Sequence, residues 1–457
     1  MKKQGAEMRN EKSGVLENLV RMLKRKQEID EWEIFYSSQD GISIEAKDGT
    51  VESMKVSCSK GIGVRVLKDK RLGFSFSSDL SDNALSNMID NALSAGSAVT
   101  ADEFYSFPLA EDIKSKELGL FDKTIKDTPE AKKIEKSLLL EDAARSFDKR
   151  VRQVRNAVYS ETTYSSSILN SKGINLTDNK TFASGSIMAV AEENNDSQMG
   201  WEMDFSHFVN DIDAQKIGIG AAKRAVSMLG AREIKSIKCP VVLENSVAVE
   251  FLEVIAPSFL ADNIHKGKSM LKDKKGKKIF SDCITILDNG IMHRGWSSSL
   301  FDSEGIPKQK TSLITNGVLE NYLYDTYWAK REGVESTGNS SRSGFKSVPG
   351  ISISNMYIKN GDTELDSLMK EANKGVFITG LLGVHTVNTI SGDFSIGAAG
   401  FYIENGTVSC PVRGMAIAGN LLDLFSRIIK TGNDIRFFGN IGAPSLLLHK
   451  MDISGAG

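Results

Sequence analysis

The densest chemistry in this chain lies in one short segment. Gly380-Leu381-Leu382-Gly383-Val384-His385 leads into Thr386, Asn388, Thr389, Ser391, Gly392, Asp393 and Ser395, and Gly397 and Gly400 follow. An imidazole, a carboxylate, an amide and several hydroxyls stand together after an apolar run. Flanking glycines let a ligand or a partner strand come close to the backbone. Taken alone, such a pattern is more often a polar loop between two strands. A self-sufficient hydrolase could be built by pairing His385 with Asp393 and a serine, but nothing in the spacing places a nucleophile.

Other chemistries are excluded by what is missing. The five histidines, His207, His265, His293, His385 and His449, form no H-E-x-x-H, the zinc-protease helix. No G-x-S-x-G elbow is present. Gly267-Lys268-Ser269 ends like a phosphate loop, but Asp262 stands where that loop needs its first glycine. Gly218-Ile219-Gly220 sits inside a helical pattern, not after a strand, so it is no dinucleotide fingerprint. The lysines from Lys268 to Lys278 are interrupted by Asp273 and Gly276 and carry no aromatic ring to stack a base, so they read as a solvated loop. Cys58, Cys239, Cys283 and Cys410 contain no C-x-x-C and read as idle thiols in a reducing compartment.

The elements that must position these residues follow from periodicity. Leu16, Leu19, Val20 and Leu23 share one helix face, with Ser13 as its expected cap. Ile42, Ile44 and Ala46 alternate as a strand. Ile62, Val64 and Val66 alternate, Lys68-Asp69-Lys70 turns the chain, and Leu72, Phe74 and Phe76 alternate back as a hairpin. Leu85, Met88, Ile89, Ala92 and Leu93 keep helical spacing up to Gly96. This gives a first module over 11–105. A polar stretch over 106–127 reads as a linker. A central module over 128–230 opens at Thr128-Pro129 with a helix, continues as strands with turns at Ser171-Lys172-Gly173 and Asp178-Asn179, and closes with a helix near Asp213–Leu229. A third module over 238–457 opens with the strand Cys239-Pro240-Val241-Val242-Leu243. Short strands and glycine turns dominate it, with a helix expected over Asn420–Lys430. The fold class is α+β: two smaller N-terminal modules and a large, strand-rich C-terminal one with mainly antiparallel sheets.

The chain has 457 residues, 40% of them hydrophobic and 25% charged, which excludes disorder as its main state. Its formal charge of −2 argues against direct nucleic-acid binding or attachment to an anionic membrane. The polar N-terminus is no secretory signal, and the apolar window Ser246–Ala261 carries Glu250 and Glu253 and is too short to span a bilayer. A cytoplasmic protein is expected.

Several motifs, in order and along nearly the whole chain, resemble one family. GLLGVHTVNTISGDFSIGAAGFYIENG, then PVRGMAIAGNLLDLFSRI and GNDIRFFGNIGAPSLLL, resemble the C-terminal part of the PmbA/TldE proteins of the TldD/PmbA family, known also as modulators of DNA gyrase. KGIGVRVLKDKRLGFSFSSDLS resembles the family's first module. The resemblance implies a two-subunit metallopeptidase in which the TldD-type subunit carries zinc on an H-E-x-x-x-H helix and the other does not. Here the matching stretch is Glu250-Phe251-Leu252-Glu253-Val254-Ile255-Ala256-Pro257-Ser258. One register puts Leu252 and Pro257 at the histidine positions, with Glu253 as the glutamate; the next puts Glu253 and Ser258 there. Neither supplies the two imidazoles, so no metal is expected in this chain and zinc is expected in a partner. The chain is then a non-metal subunit that encloses a chamber and positions an unfolded or small peptide, with no catalytic residue of its own. His385, Asn388, Ser391 and Asp393 are the candidates for the chamber-facing surface. The isolated chain could self-associate. The alternatives are a protein that modulates DNA gyrase by direct contact, or the self-sufficient hydrolase above.

Overall fold

Trp32, Ile34 and Tyr36 alternate with Glu33, Phe35 and Ser37, and all six are buried. A strand is buried on both faces only when each is covered, so this stretch lies between two layers. In the computed structural model, which describes residues 2–455, it belongs to β1 (Glu31–Lys47). β1 pairs antiparallel with β2 (Thr50–Lys68), and β3 (Arg71–Ser77) forms the expected hairpin on β2. The two turn residues, Asp69 and Lys70, both have positive φ, which matches the twist of the flanking strands.

On its other side β1 pairs with β4 (Val151–Asn170), followed by β5 (Asn175–Glu193) and β6 (Asp196–Ser206). The order is β3-β2-β1-β4-β5-β6, so the strands of the first and central stretches form one continuous sheet. One face of it is covered by α1 (Lys2–Arg25), α2 (Asp82–Ser97), α3 (Glu130–Phe147) and α4 (Ala214–Ser227). Leu19, Leu23, Leu85 and Ile89 pack on Ile34, Tyr36, Ile62 and Val64. Leu140, Ala144, Ile217 and Ala221 pack on Ala46, Ala157, Tyr159 and Ile187. The helices approach closely because glycine lines the contacts: a Cβ on Gly73 would meet the Ala92 carbonyl oxygen at 1.8 Å.

The opposite face meets the C-terminal module. There Phe345 packs with Phe35, Ile168 and Ile174. In the C-terminal module β7 (Ile237–Leu243) is apolar because it is interior. It lies between Gly375–Leu382, parallel to it, and Leu446–Ser454, antiparallel to it, in a second six-stranded sheet. A third six-stranded sheet consists of short strands such as Ile286–Asn289 and Met356–Ile358. α5 (Asn245–Ile255) packs against strands of both sheets, with Val247, Phe251, Leu252 and Ile255 in the largest core. The α+β class holds. Among the described residues no helix is long and apolar enough to cross a membrane.

Four local expectations change. Ser13 lies inside α1 and its hydroxyl donates to Glu17 (3.0 Å), so it caps nothing. Pro129 takes the N-cap place and α3 begins at Glu130. Asp178 and Asn179 run through β5 instead of turning it, because β4 and β6 pair on both sides. The helix after Asn420 stops at Ser426, and Ile428–Thr431 becomes an edge strand on Leu446–Ser454.

The stretch between α2 and α3 is docked at both ends, with Phe107, Leu118, Leu120 and Ile125 buried. The Asn170 side-chain amide donates to the Pro108 carbonyl (2.8 Å), and the Arg294 N–H donates to the Leu118 carbonyl (2.7 Å). Between these anchors, residues 109–117 are exposed apart from half-buried Ile113. Limited trypsin digestion should therefore cut first at Lys114 or Lys116, leaving two fragments that stay associated. A first cut inside β7 or the strand Leu446–Ser454 would contradict this layout.

Candidate functional site

The polar segment after Val384 is a closed loop. Strand Gly375–Leu382 ends at Gly383, which has φ of 84° and starts a short turn over Val384–Thr386. The Asn388 N–H donates to the Asp393 carbonyl (3.0 Å), and the Gly392 N–H donates back to the Asn388 carbonyl (2.8 Å). The Asn388 side-chain oxygen accepts the N–H groups of Ile390 (2.9 Å) and Ser391 (3.1 Å), an Asx turn. The Ser391 hydroxyl donates to Asp393 Oδ2 (2.7 Å). Asn420 Nδ2 donates to Asp393 Oδ1 (2.9 Å) and to the Ser391 carbonyl (2.8 Å), while its Oδ1 accepts the Leu422 N–H as the cap of the next helix. The bonds from Asn420 and Ser391 hold the Asp393 carboxyl below the usual carboxylate range.

Asn388, Ser391 and Asp393 are thus brought together on a rigid loop, and all three are exposed. His385 is exposed on the preceding turn, and Leu382 and Ile390 add apolar surface beside it. Asn420 is the member that sequence reading missed. Its position before the apolar run Leu421-Leu422 marks it as a helix cap, but its second job depends on strand pairing across 27 residues. The Ser391 proton goes to a carboxylate and not to an imidazole, so the order nucleophile–histidine–acid is not assembled.

α5 and the residues after it carry the stretch that matches the zinc helix. Leu252 is wholly buried, Glu253 and Pro257 are exposed, and Ser258 is buried with no hydrogen-bond partner for its hydroxyl. Neither register of the stretch therefore offers two metal donors on one exposed face. Glu250, one turn before Glu253, is half-buried; burial and the nearby Glu253 push its carboxyl up to about 7. Among the described residues no three His, Cys, Asp or Glu side chains converge as a metal site. The remaining histidines are dispersed. His207 is buried with its ring nitrogens against the Thr181 and Gly295 carbonyls, and His265 stacks on Trp328.

The PmbA/TldA metallopeptidase domain 1 matches residues 32–96, the central domain matches 123–229, and the C-terminal domain matches 236–455. The chain belongs to the PmbA/TldD metallopeptidase family. Metalloprotease PmbA of Escherichia coli O157:H7 is 30% identical over 93% of this chain and 92% of its own length. A Thermotoga maritima protein named for a candidate role as modulator of a DNA gyrase is 27% identical, with a TM-score of 0.88 over 96% of this chain and 99% of that one. TldE from Thermococcus kodakarensis shares the fold, with a TM-score of 0.87 at 24% identity over 96% of this chain and 100% of that one. Family membership thus extends over all three segments, and the residues of α5 do not fit the zinc that the family name implies.

Proposed function

We propose that this chain is the non-metal subunit of a two-subunit peptidase of the TldD/TldE type. The observation that carries this reading is α5, where Leu252 is buried in the core and Pro257 and Ser258 follow, so the helix presents no pair of imidazoles. A TldD-type partner supplies the zinc and the hydrolysis, in the cytoplasm. This chain helps enclose the chamber and orients an unfolded or small peptide, as in peptide maturation. Orientation of a bound peptide lowers the barrier without any reacting group on this side. His385, Asn388, Ser391 and Asp393 face the chamber in this reading. Their exposure, and the rigid ring that fixes three of them, support the assignment.

The test combines metal analysis with reconstitution. Purified alone, the chain should hold no stoichiometric zinc and should leave unfolded casein intact. Mixed with a zinc-bearing TldD-type subunit, it should yield hydrolysis that a chelator abolishes. Replacing His385 by Ala and Asp393 by Asn together should leave the isolated chain folded with only a small drop in melting temperature, since both side chains are exposed and asparagine keeps an oxygen for the Asn420 amide, and should lower hydrolysis by the pair. Unchanged melting with unchanged hydrolysis would sink the chamber assignment. One tightly held zinc per isolated chain would sink the non-metal role. Recovery of gyrase subunits on the chain, with no peptidase partner, would favour the binding-protein alternative.

A further inference from the structure

A cleft of about 510 Å³ opens at the seam between the first sheet and the C-terminal module. Its floor is charged and its walls are aromatic. Arg65 of β2 reaches it from the sheet; Tyr105 and Phe107 come from the stretch after α2; Glu304, Asp325 and Trp328 come from the C-terminal module. None of these residues belongs to the loop after Val384 or to α5.

The charges in the floor are unequal. Glu33, Glu304 and Asp325 are buried carboxylates, and Arg65 and Arg342 are the buried guanidinium groups beside them. Arg65 is engaged twice, by Glu33 (2.6 Å) and by Glu304 (3.1 Å), and Arg342 pairs with Glu33 (2.7 Å). Asp325 is only 6% exposed. Its Oδ1 accepts the Trp328 N–H (2.9 Å), and no ion pair joins it to a cation among the described residues. At the rim, Asp262 is paired with Lys266 (2.9 Å), yet its Oδ1 is buried without a hydrogen-bond partner. With Asp325 ionised, the cleft therefore lacks one positive charge.

The walls suit the same missing charge. Tyr105 and Tyr327 lie 5.0 Å apart, and Tyr327 meets Trp328 edge-on at 5.1 Å. The Trp328 ring is stacked by His265 at 4.8 Å and already attracts Lys266 at 5.8 Å and Arg331 at 5.6 Å, so it serves as apolar cover for a stem and leaves the two tyrosines to meet the charge. Aromatic faces attract cations and also cover aliphatic stems. An anion would meet Asp325 and Glu304 with no free cation to receive it. A neutral apolar guest would leave Asp325 buried and uncompensated.

We propose that this cleft binds an organic cation, a primary ammonium on an apolar stem, with Asp325 as its counter-charge and Tyr105, Tyr327 and Trp328 as its walls. A lysine side chain and a free peptide amino terminus both present that chemistry. The site does not depend on the peptidase reading, because the isolated chain should bind the cation whether or not a zinc subunit exists.

The groups facing Asp325 give the binding a pH signature. Burial first, then Glu304, push its carboxyl up to about 7; the Trp328 N–H and Arg65 act in the opposite direction and Asp262 adds to the rise. A bound cation needs the ionised form, so affinity should climb between about pH 6 and pH 8.

Calorimetric titration of the full chain tests this with three probes: Nα-acetyl-lysine amide, alanyl-alanine amide and the uncharged Nα-acetyl-norleucine amide. At least one cation should saturate a single site, and norleucine should bind about tenfold more weakly or worse. Asp325→Asn should weaken the cation about tenfold and flatten the pH dependence seen with the lysine probe, while asparagine keeps the helix cap. Tyr105→Leu, outside that helix, gives a second variant and should weaken binding severalfold. Saturation by the lysine probe alone assigns the side chain as guest; saturation by the dipeptide alone assigns the amino terminus. No saturation by either cation at millimolar concentration, equal binding of norleucine, or unchanged binding in folded Asp325→Asn would overturn the proposal.

Discussion

Glu33→Ala should destabilise the chain by about 3–5 kcal/mol, the range for removing one partner of a buried ion pair. Glu33 is fully buried on the face of β1 that meets the C-terminal module. Arg65 stands directly across from it in the sheet, with two hydrogen bonds of 2.9 and 2.6 Å. Arg342 arrives from the C-terminal module at 2.7 Å and also donates to the Ser303 carbonyl (2.6 Å). Removing Glu33 leaves two guanidinium groups out of water with only Glu304 between them. Burial alone would raise the Glu33 carboxyl, but Arg342 and Arg65 outweigh it and hold it below its ordinary value of 4.5. The folded value is the lower one, so its contribution is full above the unfolded value and is lost as pH falls through the folded one. Chemical denaturation at neutral and acid pH measures both effects. A loss under about 1 kcal/mol would mean that the cluster is solvated and that the sheet and the C-terminal module are not held by it. Replacing Glu33, Arg65 and Arg342 together by apolar residues of similar volume should cost far less than Glu33→Ala, because no charge is then stranded.

Phe345→Ala should cost a similar amount, about 3–5 kcal/mol, through lost burial and the cavity left behind. Its ring covers Gly61 of β2, and its backbone carbonyl faces Gly63. A Cβ on Gly61 would sit 2.3 Å from the ring, and a Cβ on Gly63 would sit 2.4 Å from the Phe345 carbonyl oxygen. The two glycines should therefore behave differently in a double-mutant cycle. Gly61→Ala should be damaging in the natural chain and nearly neutral once Phe345 is alanine, since the obstructing atoms are gone. Gly63→Ala should stay damaging in both, since backbone obstructs it. Equal behaviour of the two glycines in unfolding measurements would show that the contact is looser than described.

The same face explains what sequence reading could reach. The alternating residues of β2 and the helix face of α2 follow local periods, so Ile62, Val64, Leu85 and Ile89 are legible as core. Glu33 and Arg65 carry no local sign of burial, because the residue that covers them, Arg342, lies 309 positions from Glu33. The linker looked polar by composition, yet Phe107, Leu118 and Leu120 find their pockets on elements that no local pattern announces. Ile428 and Ile429 continue a helical spacing, and only the strand Leu446–Ser454 recruits them into a sheet. In the candidate site the polar run from His385 to Asp393 was visible as a cluster of residue types. Asp325 and Trp328 were not, since their significance comes from a cleft closed by β2 and the stretch after α2.

The placement of β1 also imposes a timetable on synthesis. Its outer neighbour β2 follows at once, but its inner neighbour β4 pairs Glu33 with Asn170 and Ala46 with Ala157. The first sheet is incomplete until that second partner has emerged. Arg342 then follows Glu33 by 309 residues, roughly 15–60 s at the usual elongation rate of about 5–20 residues per second. From the emergence of β4 until then, the groove of Gly61 and Gly63 and the side chains of Phe35 and Ile168 face solvent or whatever holds them, with Arg65 and Glu33 already joined. A nascent chain stalled in this window presents a flat, half-apolar sheet face with its own charge pair at the centre, the species on which a holding chaperone would act and from which misassembly would begin.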